Sequence, residues 1–357
     1  MEVILMPRKS PLEIICLVCL LAILVMLGLG RLAFLLPSLD WFSHFPATAL
    51  VGSLMLTTCL LVIRAWRTCW LAMVVVVFSG LLLIAPYLGS EPIRPESPGS
   101  NLVVATGNVL VSNTRLDEVV ESLPDVDVLS LIETSTSWSD IFPSLEKRWP
   151  SQWIDLRDNP FGICLLTRAP VRSSEWIMLT PGGYPALRTD LVIDGVEVTI
   201  LTVHTMSPQS LQMLATRDAQ FRMLSDLIRA IPGNLILMGD LNASPWSSSL
   251  LDLMHETGLR SSRSSMGWSG VTSGTWPASL PSMIRLPIDH CLVRGDITPI
   301  STRTFPIPGA DHLGLEVELL VHDGSPEDLA QPNGRHRSMS PWAMFWRATS
   351  EHRQGGD

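Results

Sequence analysis

Six apolar runs in this chain end on, or begin just after, a side chain that can hold a metal or move a proton. Asn108 closes "LVVATGN", Glu133 follows "DVLSLI" and His204 ends "VTILTVH". Asp240 and Asn242 follow "LILMG", Asp289 and His290 follow "RLPI", and Asp311 and His312 stand just ahead of "LGLEVEL". Any one of these alone is ordinary capping or turn chemistry. Together they offer carboxylate and amide oxygens with few nitrogens and no thiolates. That is the ligand preference of a hard cation such as Mg²⁺ and the equipment of a phosphoester site. On a continuing strand, the two-residue period puts residues 240 and 242 on one face.

The elements that must carry these side chains are short β-branched strands separated by turns. "NLVVATGNVL", "VDVLSLIET", "FGICLLTRAP" and "NLILMGDLN" each read as one strand. "LRTDLVIDGVEVTILTVHT" reads as two strands about an Asp194-Gly195 hairpin turn. "LPIDHCLVRGDI" and "HLGLEVELLV" supply the last two. A short helix fits "RLDEVVESLPD" and another fits Asp252–Gly258. A longer one is signalled by Ser207-Pro208 and by Leu211, Leu214, Phe221, Leu224 and Ile228, ending at Pro232. Many strands in mixed order with few helices predict an α+β domain, a two-layer β-sandwich flanked by helices.

Ahead of this domain the composition changes. Three apolar runs, Leu12–Leu36, Phe45–Ile63 and Cys69–Leu88, each reach or approach the roughly 20 residues that cross a bilayer core. The first is too long for the roughly 7–15-residue apolar segment of a secretory signal. Residues 1–89 are therefore expected to form three transmembrane helices, with Arg31 snorkelling or facing a neighbouring helix. Residues 90–100, "EPIRPESPGS" and its flank, read as a stiff solvated linker, 101–321 as the main domain and 322–357 as a polar tail. Within the tail, "PWAMFWRA" has the character of a short interfacial helix. Arg8, Lys9, Arg64 and Arg67 flank the helices on one side, with only Arg94 opposing them, so the main domain is expected outside the cytoplasmic membrane of a bacterium.

Charge and cysteine narrow the options further. Of 25 basic and 34 acidic residues, five and three fall in 1–89, so the remainder carries 20 and 31, a net of −11. A domain that acidic lacks the basic footprint of nonspecific duplex binding. Four of the six cysteines lie in or beside the apolar helices. Cys164 and Cys291 sit in strands, either as two buried small hydrophobes or as a bridge, since spacing alone does not fix geometry.

"GNV", "IET", "VHTMSP", "GDLNASPWS", "TSGTWP", "PIDHCLV" and "ADHLGLEVEL" appear in the order and spacing of the endonuclease/exonuclease/phosphatase (DNase I-like) superfamily, which the chain resembles over roughly Asn101–Val321. With its helices in front, it also resembles the bacterial membrane phosphatases associated with teicoplanin resistance. The resemblance implies a metal-dependent phosphoric ester hydrolase using Mg²⁺, or Mn²⁺ in its place. It implies Glu133 as principal metal ligand, with Asn108 beside it touching metal or phosphate and Asp311 as a second metal or water contact. Asp240 is then the base for the attacking water and Asn242 its positioning partner. His312 contacts the scissile phosphate and Asp289 orients it. His204 serves as phosphate contact or general acid, and Arg188 is either a phosphate contact or a plain surface arginine. His290 takes no role.

A tethered, outward-facing site suits a substrate held in the same bilayer, so the expected partners are the lipid bilayer and a lipid-linked phosphoester, either a polyprenyl diphosphate or a phospholipid head group. No stable nucleic-acid partner is expected. The alternatives are an extracytoplasmic metal-dependent nuclease and a catalytically silent membrane binding protein.

Overall fold

The computed structural model describes residues 9–87, 99–180, 182–266, 270 and 273–322. Most of the expected linker, the polar tail with its aromatic stretch, and Arg8 and Arg94 lie outside the described residues. The chain forms two compact units. One comprises residues up to Ala85 together with Trp246–Ser248; the other comprises Pro86–Pro245 and the chain from Ser249.

The first unit is helical. Helix α1 (Pro11–Arg31) begins at Ser10, whose Oγ accepts from the Glu13 N–H at 3.1 Å, with proline in the first turn where its missing N–H costs nothing. Helices α2 (Pro46–Val62) and α3 (Trp66–Ile84) pack with it through small residues and leucines: Cys16, Leu20, Leu60, Cys69, Ala72 and Val75. The outward side chains stay apolar, among them Ile15, Val18, Met55, Val62, Trp70 and Val77. Helix α1 and the run Trp66–Tyr87 are long and apolar enough to cross a membrane. The expected middle span differs. It is a 17-residue helix, and it reaches spanning length only with the 3₁₀ turn Pro37–His44, from which it bends by 53°. That turn buries Asp40, which accepts from Ser247 Oγ at 2.7 Å, Ser248 N at 2.9 Å and Ser43 Oγ at 3.0 Å. Arg31 Nη2 donates to the Trp246 carbonyl at 3.1 Å.

Among the described residues the second unit contains twelve strands: β1 (Gly99–Asn108), β2 (Val128–Ile132), β3 (Ser151–Asp155), β4 (Ile163–Thr167), β5 (Val171–Met178) and β6 (Pro185–Ile193) form the first six. They are followed by β7 (Val196–His204), β8 (Asn234–Asp240), β9 (Arg260–Ser261), β10 (Asp289–Arg294), β11 (Ile297–Pro306) and β12 (Leu313–His322). One sheet runs β11-β12-β1-β2-β4-β3 and the other β5-β6-β7-β8-β10-β9. Only β1–β2 and β7–β8 pair in parallel, so both sheets are mixed, as the sequence predicts.

Strand alternation builds the layers. Leu102, Val104, Leu187, Leu191, Ile200, Ile236, Met238, Cys291 and Val317 point between the sheets and form the central core. Leu201, Val203, Leu235 and Leu237 point outward beneath α6 (Leu211–Ala230) and α7 (Ser248–Thr257). Leu129, Leu131 and Leu166 on the other sheet pack against α4 (Leu116–Ser122), the single turn α5 (Phe142–Leu145), Trp138 and Trp149. The result is two sheets face to face with helices on both outer surfaces.

Three details depart from or refine the sequence reading. The N-cap of α6 is Ser210, not Ser207: its Oγ accepts from Met213 N at 3.2 Å, and Leu211 at the helix start stays exposed. Asp194 and Gly195 have φ of 47° and 91°, the pair of positive values that a two-residue type I′ hairpin requires. Cys164 and Cys291 are both free thiols, one on an outer sheet face and the other between the sheets.

Candidate active site

The inward-facing rows of the sheets continue past their last apolar residue into polar ones, all at one end of the sandwich. On β8 the row Ile236, Met238 ends at Asp240; on β10 the row Val293, Cys291 ends at Asp289; on β7 Ile200 leads to His204. Register then aligns them, because Asp240 is paired with His204 on one side and with Asp289 on the other. From the facing sheet, β1 ends at Asn108 opposite Ile132, and Glu133 follows directly. A core that must be apolar up to the last rung and polar beyond it explains why buried strands run into carboxylates.

Backbone conformation supports the same point. Gly239 has φ of 139°, and a Cβ there would lie 1.9 Å from the Val203 carbonyl oxygen, so only glycine fits. Glu133 and Asn242 adopt φ of 64° and 45° without being glycine, a conformation held where function requires it. Asn242 therefore does not share a strand face with Asp240. The chain turns back, and the Asn242 N–H donates to Asp240 Oδ1 at 2.9 Å.

The side chains interlock. Asn108 Nδ2 donates to Glu133 Oε1 at 2.8 Å and to Asp240 Oδ2 at 3.2 Å, while Val111 N donates to Glu133 Oε2 at 3.0 Å. His312 Nδ1 donates to Asp289 Oδ2 at 2.8 Å, and its Nε2 lies 3.8 Å from Asp240 Oδ2. His204 Nδ1 is 2.7 Å from the Pro160 carbonyl, which accepts and so fixes a proton there. Its Nε2 faces Asp240 Oδ2 at 3.7 Å and Asn242 Nδ2 at 3.3 Å. Asp311 accepts from Trp276 Nε1 at 2.9 Å, next to the ring of His312.

The electrostatics split the two aspartates. Burial first, and then the Asp289 carboxylate, push Asp240 up to about 6. Burial opposes charge on His312 as well, but the attraction and hydrogen bond of Asp289, with Asp240 and Asp311, overcome it and raise the imidazole to about 10. Asp289, despite its burial, is held below the usual carboxylate range by His312. The arrangement is an imidazolium clamped by one carboxylate and facing a second that retains proton-accepting capacity.

Ligand atoms of Asp240, Asp289 and His312 all lie within 4.8 Å of one another, a group able to hold a metal ion among the described residues. The donor chemistry fits a hard divalent cation: the Glu133 and Asp240 carboxylates converge on a single amide hydrogen donor, and the Asp289 carboxylate adds a third negative group beside Asp240.

Arg188 is the sequence candidate that the structure does not bring here. It alternates with inward-facing Leu187, so it emerges on the opposite face of β6, where it pairs with Asp190 at 3.1 Å and Glu175 at 3.3 Å. Its expected phosphate contact is withdrawn. Buried His290 donates through Nε2 to the Ala243 carbonyl at 2.8 Å and is pushed down to about 3 by burial and Arg263, so it is a neutral strut.

Two buried arginines went unseen in the sequence. Arg217 Nη1 donates to the Asn242 carbonyl at 3.1 Å, and Arg263 Nη1 to the Asp289 carbonyl at 2.8 Å. Arg217 had left a signal: it occupies the apolar stripe Leu214, Arg217, Phe221, Leu224, Ile228, where a cation belongs only if it is paired.

The chain belongs to the Endonuclease/Exonuclease/phosphatase family, whose sequence profile matches residues 105–314, more than half its length. The members of this family are metal-dependent phosphoester hydrolases, and so is this protein. No curated protein matches the chain. Among solved structures, D. rerio TDP2 complexed with single strand DNA product is 19% identical over 62% of this chain and 99% of that one, with a TM-score of 0.53. A humanized D. rerio TDP2 is 18% identical over 61% and 98%, also with a TM-score of 0.53. These likenesses show the fold.

Proposed function

We propose that the protein is a membrane-anchored hydrolase acting on a lipid-linked phosphoester, a polyprenyl diphosphate or phospholipid head group, at the extracytoplasmic face of a bacterial cytoplasmic membrane. The observation that carries the reading is the pairing of this site with helices whose outward side chains are apolar, which the bilayer alone among ordinary surroundings would solvate. The net of −11 after residue 89 argues against a polyanion such as nucleic acid as substrate, so an extracytoplasmic nuclease is the second reading.

In this proposal Asp240 accepts the proton of the attacking water, and the Asn242 N–H on its other oxygen fixes the carboxylate plane. His312, kept charged and oriented by Asp289, donates to a phosphoryl oxygen as charge develops. His204, anchored through Nδ1, presents Nε2 to the same space to exchange a proton with the leaving oxygen. Glu133, Asn108 and Asp311 would hold the divalent cation, Mg²⁺ in this proposal and Mn²⁺ in its place, which neutralises phosphoryl charge.

The test is release of phosphate or head group from micellar lipid by the purified full chain, with Mg²⁺ and with EDTA. Metal-dependent release that is lost in Asp240→Asn is expected. Folded protein that spares both lipids but cuts single-stranded DNA would replace this reading with the nuclease.

A further inference from the structure

Beside Glu133 lies a cleft of about 310 Å³ walled by Val111, Ser112, Ser135, Thr136, Ser137 and Asp158. It abuts the site directly: the Val111 N–H donates to Glu133 Oε2 at 3.0 Å, and Ser135 follows Glu133 by two residues. Four of the six walls are hydroxyl side chains, drawn from "ETSTSWS" and the turn after β1. The fifth polar wall is a carboxylate. Asp158 Oδ1 accepts from Thr136 N at 3.1 Å and from Thr136 Oγ1 at 2.7 Å. Ser135 and Ser137 hydroxyls share a hydrogen bond at 2.6 Å. Among the described residues, no lysine, arginine or aromatic side chain lines the cleft.

These walls discriminate among the groups that a phosphorus substituent can bring. A phosphate would face Asp158 with no lysine or arginine on the walls to offset the repulsion. An acyl or prenyl chain would strip water from hydroxyls and return no hydrogen bonds. A quaternary ammonium would find no aromatic face. A polyol answers every polar wall, because each of its hydroxyls both donates and accepts and the second oxygen of Asp158 is left to take a donor.

Resting on the hydrolase reading above, we propose that this cleft is the subsite for a neutral, hydroxyl-bearing head group, so that the substrate is a phosphodiester with a polyol arm rather than a diphosphate. In the reaction, a water oxygen forms the new bond to phosphorus, the bond from phosphorus to one ester oxygen breaks, and that oxygen leaves with a proton.

The experiment compares kcat/KM of the full chain in detergent micelles, with Mg²⁺, on phosphatidylglycerol, phosphatidylethanolamine, farnesyl diphosphate and the head-group-free reporter bis(p-nitrophenyl) phosphate. Phosphatidylglycerol should be the best of the three lipids. Asp158→Asn and Thr136→Val should each lower the ratio of phosphatidylglycerol to reporter kcat/KM by about tenfold, the scale of one hydrogen bond to a charged group. Ser137→Ala, a surface change with little folding risk, should lower it by less. A ratio unmoved in all three variants, or a preference for the diphosphate or the amine head group, overturns the subsite. Absence of metal-dependent hydrolysis of the reporter itself overturns the hydrolase reading beneath it, a failure distinct from loss of discrimination.

Discussion

Asp40 and Asp240 are each 1% exposed, one in the helical unit and the other at the end of the sandwich, and their surroundings differ. Asp40 accepts from three fixed donors, the hydroxyls of Ser43 and Ser247 and the backbone N–H of Ser248, and has one imidazole, His44 Nε2, at 3.6 Å. Asp240 receives two amide donors and otherwise faces a second carboxylate and two imidazoles. A carboxylate gripped by several fixed donors holds structure together. A buried carboxylate set against a second carboxylate keeps two states within reach, which is what proton transfer needs. Burial alone does not separate structural from catalytic acids; the nature of the neighbours does.

The sharpest way to break this contrast is to neutralise each acid. Asp240→Asn should lower kcat by about a thousandfold, as loss of a preorganised transition-state group does. The metal-free thermal midpoint near pH 8 should hold or rise, because repulsion with Asp289 is relieved. Asp40→Leu should do the reverse. It strands several buried donors and should cost about 3 kcal/mol of stability, read as a lower unfolding midpoint in detergent. If Asp240→Asn unfolds the protein while Asp40→Leu leaves it intact, the distinction is wrong.

The same contrast shows what a sequence displays. All the strands read from it are interior ones, while β3, β5, β9 and β11 were missed, and these are the four edges of the two sheets. An edge strand is half-solvated, so "VRSSEWIM" and "TPISTRTFP" carry no continuous apolar run. The site was legible because its residues terminate interior strands, where the change from apolar to polar is abrupt. Arg188 misled because a charged residue near a strand end has the same appearance whichever face it takes; only pairing with Glu175 and Asp190 decides it. Asn242 was placed correctly beside Asp240 for the wrong reason, since its left-handed backbone and not strand alternation makes the contact. The buried Asp40 lay in what reads as an ordinary loop, and its donors come from a stretch some 200 residues away, a separation no local pattern reveals.

The smallest expected effect concerns the pair beside Asp240. His312 is raised from 6.5 to about 10 in the folded protein, chiefly by Asp289 acting against burial. A base whose folded value lies above its unfolded value contributes stability that is fully present below pH 6.5 and is lost as pH rises through about 10. Asp240, pushed up to about 6, is mostly ionised when this window opens and completes its own transition in its first part. Metal-free protein should therefore lose stability between pH 6.5 and 10 by about 1–3 kcal/mol, since the desolvation of the pair offsets part of its attraction. Urea unfolding across that range should show the slope, and Asp289→Asn should flatten it. A slope that survives Asp289→Asn would mean that Asp289 is not what holds the proton on His312.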